Sequence, residues 1–377
     1  MTVPLSASTL LRGQLTYFRE RGYDVHLACS PGPALADVAE REGVTIHEIP
    51  MDREASSLLR DLRSLRAMVA LMRRIKPDIV NAGTPKAGLI GMLAARLTRV
   101  RARVYVLRGL RLETATGMTR RLLRFTERLA CTCAHTVVCV SDSLRARVTE
   151  IGLISPEKAL VVGSGSSNGV ELARFRPDPA LRQAAQAARE RLHLDANAPT
   201  IGFIGRLTRD KGIVELTDAF ERLYAQDPSR RLLLVGDAES GDPLPQHTHE
   251  MLDSHPGVAR TGFVAETAAY YQLMDVLCLP SYREGFPNAP LEAAAAGKPT
   301  VTTDATGARD SVVDGKTGLV VNLGDVDALT SALGRLLDDP RLCRQMGSQA
   351  QARAAEQFAP RRIWEGLEAV YENALGR

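Results

Sequence analysis

Along the chain, short apolar runs alternate with longer segments in which apolar residues recur every three or four positions. The short runs have the length of strands buried on both faces, and the longer ones have the period of helices with one apolar side. In the first half this pattern predicts strands over 24–29, 44–48, 78–82, 103–107, 136–140 and 159–162. Helices are predicted over 7–21, 33–42, 57–75, 87–98, 117–133 and 142–151. In the second half the strands are 199–204, 231–235, 258–262, 276–279, 299–302 and 318–321, and the helices 211–226, 266–273, 287–296, 325–337 and 340–356. This alternation belongs to parallel sheets covered by helices. The expected fold class is therefore α/β, with two doubly wound, Rossmann-like domains that each have their own sheet.

The polar, Gly- and Pro-containing stretch 166–178 reads as a linker, so the domains are expected over 1–170 and 171–360. A last segment, 361–377, carries Trp364 with Leu367, Val370 and Tyr371 at helical spacing. It either caps the second domain or crosses back to the first. A doubly wound unit opens with a mid-sheet strand that feeds its first helix, whereas here Thr2-Val3-Pro4-Leu5 leads straight into a helical pattern. The expectation is that a strand lies upstream or that the central slot is filled in another way.

Length and composition agree with this division. A chain of 377 residues exceeds the size at which single cores stop growing, and 45% hydrophobic with 24% charged residues is ordinary for a globular protein. The six cysteines lack disulfide-framework or zinc spacing, no apolar run is long enough to span a bilayer, and the first residues lack the form of a secretory signal. A reduced, cytoplasmic setting is expected. Residues 1–165 hold 25 Lys and Arg against 15 Asp and Glu, a balance of +10 that leaves −6 for the rest of a chain of net charge +4. Such asymmetry points the first half toward an anionic partner: a membrane surface, a phosphorylated acceptor or nucleic acid.

Two segments carry the chemistry. In 281–299 a buried strand is followed by Tyr282-Arg283-Glu284-Gly285 and then a helix with Pro287 in its first turn. A strand, a glycine turn and a helix start together make an anion site from free backbone N–H groups. Glu284 and, eight residues on, Glu292 are acceptors suited to sugar hydroxyls rather than to phosphate. In 201–212 an apolar strand ends at Gly205, followed by Arg206 and by Lys211-Gly212 at a helix start. A guanidinium grips a diphosphate at two points and a lysine adds a point charge. His247 and His249 fall in an expected polar loop without metal spacing, and Cys131 and Cys133 read as packing residues.

Together these segments resemble the GT-B glycosyltransferases, specifically the retaining family 4 (group 1) type. The matching motifs are GFIGRLTRDKG (202–212), VGD (235–237), EGFPNAPLE (284–292) and DGKTGLVV (314–321). In the first half NAGTPKAGLIG (81–91), the LRGLRLETATG loop ending at Gly117, CVSDSL (139–144) and GSGSSNGVELARF (163–175) resemble bacterial enzymes of surface-polysaccharide and lipid-linked oligosaccharide assembly. The resemblance implies two domains facing across a cleft, the donor held by the second and the acceptor by the first. Arg206 and Lys211 would bind the diphosphate of a nucleotide-sugar donor and Glu292 the ribose. Glu284 would contact the donor sugar, and Gly205, Gly285, Phe286, Pro287 and Asn288 would line the site. Catalytic roles would fall to Glu284, Arg206, Lys211 and Arg108.

Thr84, Lys86 and Arg108 are the acceptor-side candidates. Many family members have histidine where this chain has Arg108, and arginine cannot serve as a base. The resemblance implies that the donor phosphate itself takes the acceptor proton. No cofactor and no metal are expected, since the two cations and the helix start replace the metal. The expected reaction is hexosyl transfer from a nucleoside diphosphate sugar, UDP-linked in the first instance, to a glycan or polyprenyl-diphosphate-linked acceptor. The expected place is the inner face of an anionic membrane, without nucleic acid. A nucleotide-sugar 2-epimerase and a non-catalytic GT-B binding protein are the alternatives, the latter suggested by Arg108 and the missing strand.

Overall fold

The computed structural model describes residues 1–51, 58–239 and 241–376, and they divide into two compact units. The first comprises Met1–Asn168 with Pro360–Arg377, and the second Gly169–Ala359. The expected C-terminal element is the helix Pro360–Leu375, and it belongs to the first unit rather than capping the second.

In the first unit, β1 (His26–Cys29) pairs with β2 (Thr45–Glu48), while β3 (Ile79–Gly83), β4 (Ala102–Leu107), β5 (Thr136–Cys139) and β6 (Ala159–Val161) form a separate sheet in that order. All pairings are parallel. The single sheet expected for this domain is thus two sheets. Beside β1 the Met1 ammonium donates to Ala28 O at 2.8 Å, and Thr2 Oγ1 lies 2.6 Å from Thr84 Oγ1 beyond the end of β3. The expected first helix, 7–21, is broken into Pro4–Leu10 and Gln14–Glu20. Gly13 between them is left-handed, and a Cβ there would stand 2.9 Å from the Trp364 ring, so the break is set by the last helix. That helix is tied in further by Tyr17 OH donating to Glu368 and by Trp364 Nε1 donating to Asn168. The helix expected over 57–75 is seen as Leu58–Ile75, and residue 57 lies outside the described residues.

The second unit holds β7 (Thr200–Ile204), β8 (Arg231–Val235), β9 (Val258–Arg260), β10 (Val276–Leu279), β11 (Thr300–Thr303) and β12 (Gly318–Val321). These form one parallel sheet in the order β12-β11-β10-β7-β8-β9. Strands buried on both faces need no alternation, which is why TIGFI, RLLLV and VLCL read as plain apolar runs. Leu216, Phe220 and Leu223 of the helix Ile213–Gln226 pack with Leu333 and Leu336 in the main core. Two helices depart from expectation. Pro179–Arg191, capped by Asp178, follows the stretch read as linker, and Gln246–Ser254 places His247 and His249 on a helix rather than in a loop. Phe175, inside the expected linker, is buried against Tyr271.

Candidate active site

In the parallel sheet of the second unit, the loops that leave the C-terminal ends of β7, β8, β10 and β11 converge, the place where open α/β sheets bind ligands. The chain leaves β7 through Gly205, Arg206 and Thr208, makes a short 3₁₀ turn at Arg209–Lys211, and enters the helix Ile213–Gln226. Gly212 at this junction has φ of +72°, and a Cβ would lie 2.1 Å from Pro280 O; only glycine lets the turn sit against the end of β10. Similarly Gly307, φ +76°, lies so close that a Cβ would approach Gly285 O to 2.3 Å. The Glu284 N–H donates to Thr306 O at 2.9 Å, which fixes the Glu284-Gly285 turn.

Lys211 and Glu284 meet directly, Nζ to Oε1 at 2.5 Å, with both side chains largely buried, and Ser281 Oγ donates to the same oxygen at 2.9 Å. Arg206 is paired with Glu239 from the loop after β8. A third pair joins Arg283 to Asp210 at 2.6 Å. Burial works to raise the Asp210 carboxyl, but the Thr208 hydrogen bond and the nearby Arg283, Lys211 and Arg206 outweigh it and hold it below the usual range. The cluster therefore carries three cations, each balanced by a carboxylate.

Glu292 stands apart from this cluster. It lies on the helix Asn288–Ala295, where burial raises its carboxyl; Tyr271 OH donates to Oε2 at 2.8 Å and Thr267 Oγ1 at 3.2 Å. Its hydrogen bonds to Tyr271 and Thr267 are separate from those of Glu284 and Lys211. Pro287, expected in the first helical turn, is instead the residue before the helix. Phe286 is buried against the Phe358 ring, 5.2 Å between centroids, so only its backbone faces the turn.

Arg108, Thr84 and Lys86 lie in the first unit. Thr84 has φ of +74° and precedes the helix Pro85–Leu97. Lys86 Nζ pairs with Asp61 Oδ1 at 3.1 Å. The Arg108 guanidinium crosses the face of Gly83, and its Nε and Nη1 are buried without a hydrogen-bond partner among the described residues. Burial lowers it to about 10, with Tyr371 and Tyr105 acting against the fall, so it stays protonated at neutral pH.

Glu239, Asp210, Arg283, Ser281 and Tyr271 were not singled out by sequence reasoning. Ser281, Arg283 and Asp210 fall inside the two segments 281–299 and 201–212, whereas Glu239 and Tyr271 lie outside both. Among the described residues, no group of three or more His, Cys, Asp or Glu is placed to hold a metal ion, and no helix is long and apolar enough to cross a membrane.

The family described as "Glycosyl transferase 4-like domain" matches residues 7–165, and "Glycosyl transferases group 1" matches residues 198–339. A Staphylococcus aureus relative, the capsular polysaccharide biosynthesis glycosyltransferase CapM, is 36% identical over 97% of this chain and 94% of its own length. An Escherichia coli relative, a UDP-Gal:alpha-D-GlcNAc-diphosphoundecaprenol alpha-1,3-galactosyltransferase, is 26% identical over 84% of this chain and 81% of its own. Among solved structures, Anabaena HepE in complex with UDP and glucose superposes with a TM-score of 0.78 at 22% identity, covering 96% of this chain and 95% of that one.

Proposed function

The chain belongs to the group 1 glycosyltransferases, and from that premise we propose that it moves a sugar, with retention of configuration, from a UDP-sugar to a lipid-linked glycan acceptor in capsular or related surface-polysaccharide assembly. The observation that carries the reading is the pairing of Lys211 with Glu284, and the placing of Lys211 and Arg206 both near Asp210, at the C-terminal edge of the second unit's sheet. UDP is favoured by the donor in the Escherichia coli relative's name and by the ligand of HepE. A diphosphoundecaprenol-linked acceptor is favoured by the same relative, and the capsular context by CapM.

In this reading the donor diphosphate takes the place of Glu239 on Arg206 and of Glu284 on Lys211. As the bond from the sugar C1 to the diphosphate oxygen breaks, charge gathers on the leaving phosphate, and both cations hold it more strongly than in the ground state. Glu284, released from Lys211, accepts from hydroxyls of the donor sugar. Glu292 accepts from the ribose diol through Oε1, because Oε2 is already engaged by Tyr271 and Thr267. The backbone of Gly205, Gly285, Phe286, Pro287 and Asn288 lines the phosphates and sugar. The acceptor hydroxyl attacks C1 from the side the diphosphate leaves, and its proton passes to the departing phosphate oxygen. Arg108, with Thr84 and Lys86, serves the acceptor side as a permanent cation, and the cations do the work that a metal does elsewhere. Calorimetry with UDP, GDP and ADP, followed by transfer from a panel of UDP-sugars into membrane extract, tests the reading. Binding of UDP with no transfer from any donor would count against it.

A further inference from the structure

Strands β3 to β6 of the first unit are parallel, so the helices that follow them begin at one edge of the sheet. Thr84 and Lys86 open the helix Pro85–Leu97 at that edge. The pairing of Lys86 with Asp61, in the first turn of Leu58–Ile75, brings the start of that helix beside them. The helix Gly117–Cys133 follows β4 and starts at the same edge.

Both flanking helices expose large apolar side chains in their N-terminal halves. Leu58 and Leu59 are 76% and 69% exposed; Met118, Leu122 and Phe125 are 75%, 56% and 64% exposed. The later turns of Leu58–Ile75 behave conventionally, with Met68, Leu71 and Met72 buried in the local core. At roughly 100° per residue, Met118, Leu122 and Phe125 fall within about 60° of one another, and buried Glu127 lies on the opposite side. The stripe thus points away from the sheet and serves no packing within the unit. Around it Arg120, Arg121, Arg124 and Arg128 are exposed, as are Arg60, Arg63 and Arg66 on the other helix. The acids on these two helices are Glu127, buried against Tyr105, and Asp61, paired with Lys86. Exposed apolar side chains ringed by arginines complement hydrocarbon beneath anionic headgroups.

We propose that this edge docks on an anionic bilayer, inserting Leu58, Leu59, Met118, Leu122 and Phe125 while the arginines stay at headgroup level. The inference rests on the lipid-linked acceptor reading for its use, since the edge that meets the bilayer is the one that carries Thr84 and Lys86. It departs from purely electrostatic attachment, because apolar insertion survives salt that screens the arginines.

Sedimentation of the full chain with vesicles of phosphatidylcholine, alone or mixed with phosphatidylglycerol, tests it. The protein should sediment with the mixed vesicles, only weakly with the neutral ones, and retain part of its binding at high salt. Replacing Met118, Leu122 and Phe125 together by serine should lower partitioning by about tenfold or more, with melting temperature and UDP affinity unchanged. Arg120→Gln, Arg121→Gln and Arg124→Gln together should remove the salt-sensitive part. Equal or absent sedimentation on the two vesicle types would overturn the proposal, as would wild-type partitioning of the serine variant. So would light scattering that finds the stripe holding two copies together without vesicle binding. Vesicle binding by a protein without UDP affinity would support the docking surface while defeating the transferase reading.

Discussion

Lys211→Ala separates what the lysine does for the fold from what it does for the donor. Its ammonium lies 2.5 Å from Glu284, with side chains 15% and 13% exposed. Exposed pairs contribute up to about 1 kcal/mol, and breaking a buried one costs about 3–5 kcal/mol. This pair is mostly buried, but Ser281 still bonds Glu284 after the lysine is gone. A loss near 2 kcal/mol in urea unfolding is therefore expected. Adding Glu284→Gln removes the stranded charge, so the double variant should recover most of that loss. Transfer should behave differently. Losing a cation that strengthens at the transition state costs about 2.7–4 kcal/mol, a hundred- to thousandfold in turnover, and Glu284→Gln cannot restore it. Unfolding midpoints and single-turnover rates on the wild type, both single variants and the double variant complete the cycle. Turnover that recovers along with stability in the double variant would refute a donor role for Lys211 and leave it a structural partner of Glu284.

Other outcomes follow from the same site. Glu239→Gln frees Arg206 from a half-exposed competitor, so UDP should bind about two- to fivefold tighter by calorimetry. Glu292→Gln should weaken binding of UDP itself, whereas Glu284→Gln should impair transfer and leave UDP affinity nearly unchanged; the reverse order would mean the two roles are exchanged. Burial pushes Glu127 up to about 7 from 4.5, against the Tyr105 hydrogen bond. Its proton then stabilises the fold fully below about pH 4.5, and that stability, about 3 kcal/mol, is lost as pH rises to about 7. The melting temperature should fall across this window, and Glu127→Gln should flatten that fall.

Local patterning located the helix 117–133 and strands β8 and β10 because buried parallel strands and long amphipathic helices announce themselves within a few residues. The break at Gly13 was not legible, since it depends on Trp364, far away in the chain. The helix Pro179–Arg191 escaped notice because its Ala-, Gln- and Arg-rich sequence buries only a narrow side, Ala185 and Ala188. At the site, Arg206, Lys211 and Glu284 lie in contiguous motifs and could be named in advance. The counterion of Arg206 could not: Glu239 comes from the loop after β8, and which carboxylate meets which cation is decided by where loops converge. Tyr271 is a further case, a buried aromatic by pattern whose hydroxyl holds Glu292.

The most direct test of the central claim is the anomeric configuration of the product, read by NMR after incubation of the protein with α-linked UDP-sugars and a short-chain polyprenyl-diphosphate glycan. Retaining transfer predicts a new α-glycosidic linkage on the lipid-linked glycan, with UDP released in equal amount. A β-linked product would contradict retention, and a UDP-sugar inverted at C2 with no lipid-linked product would contradict transfer itself.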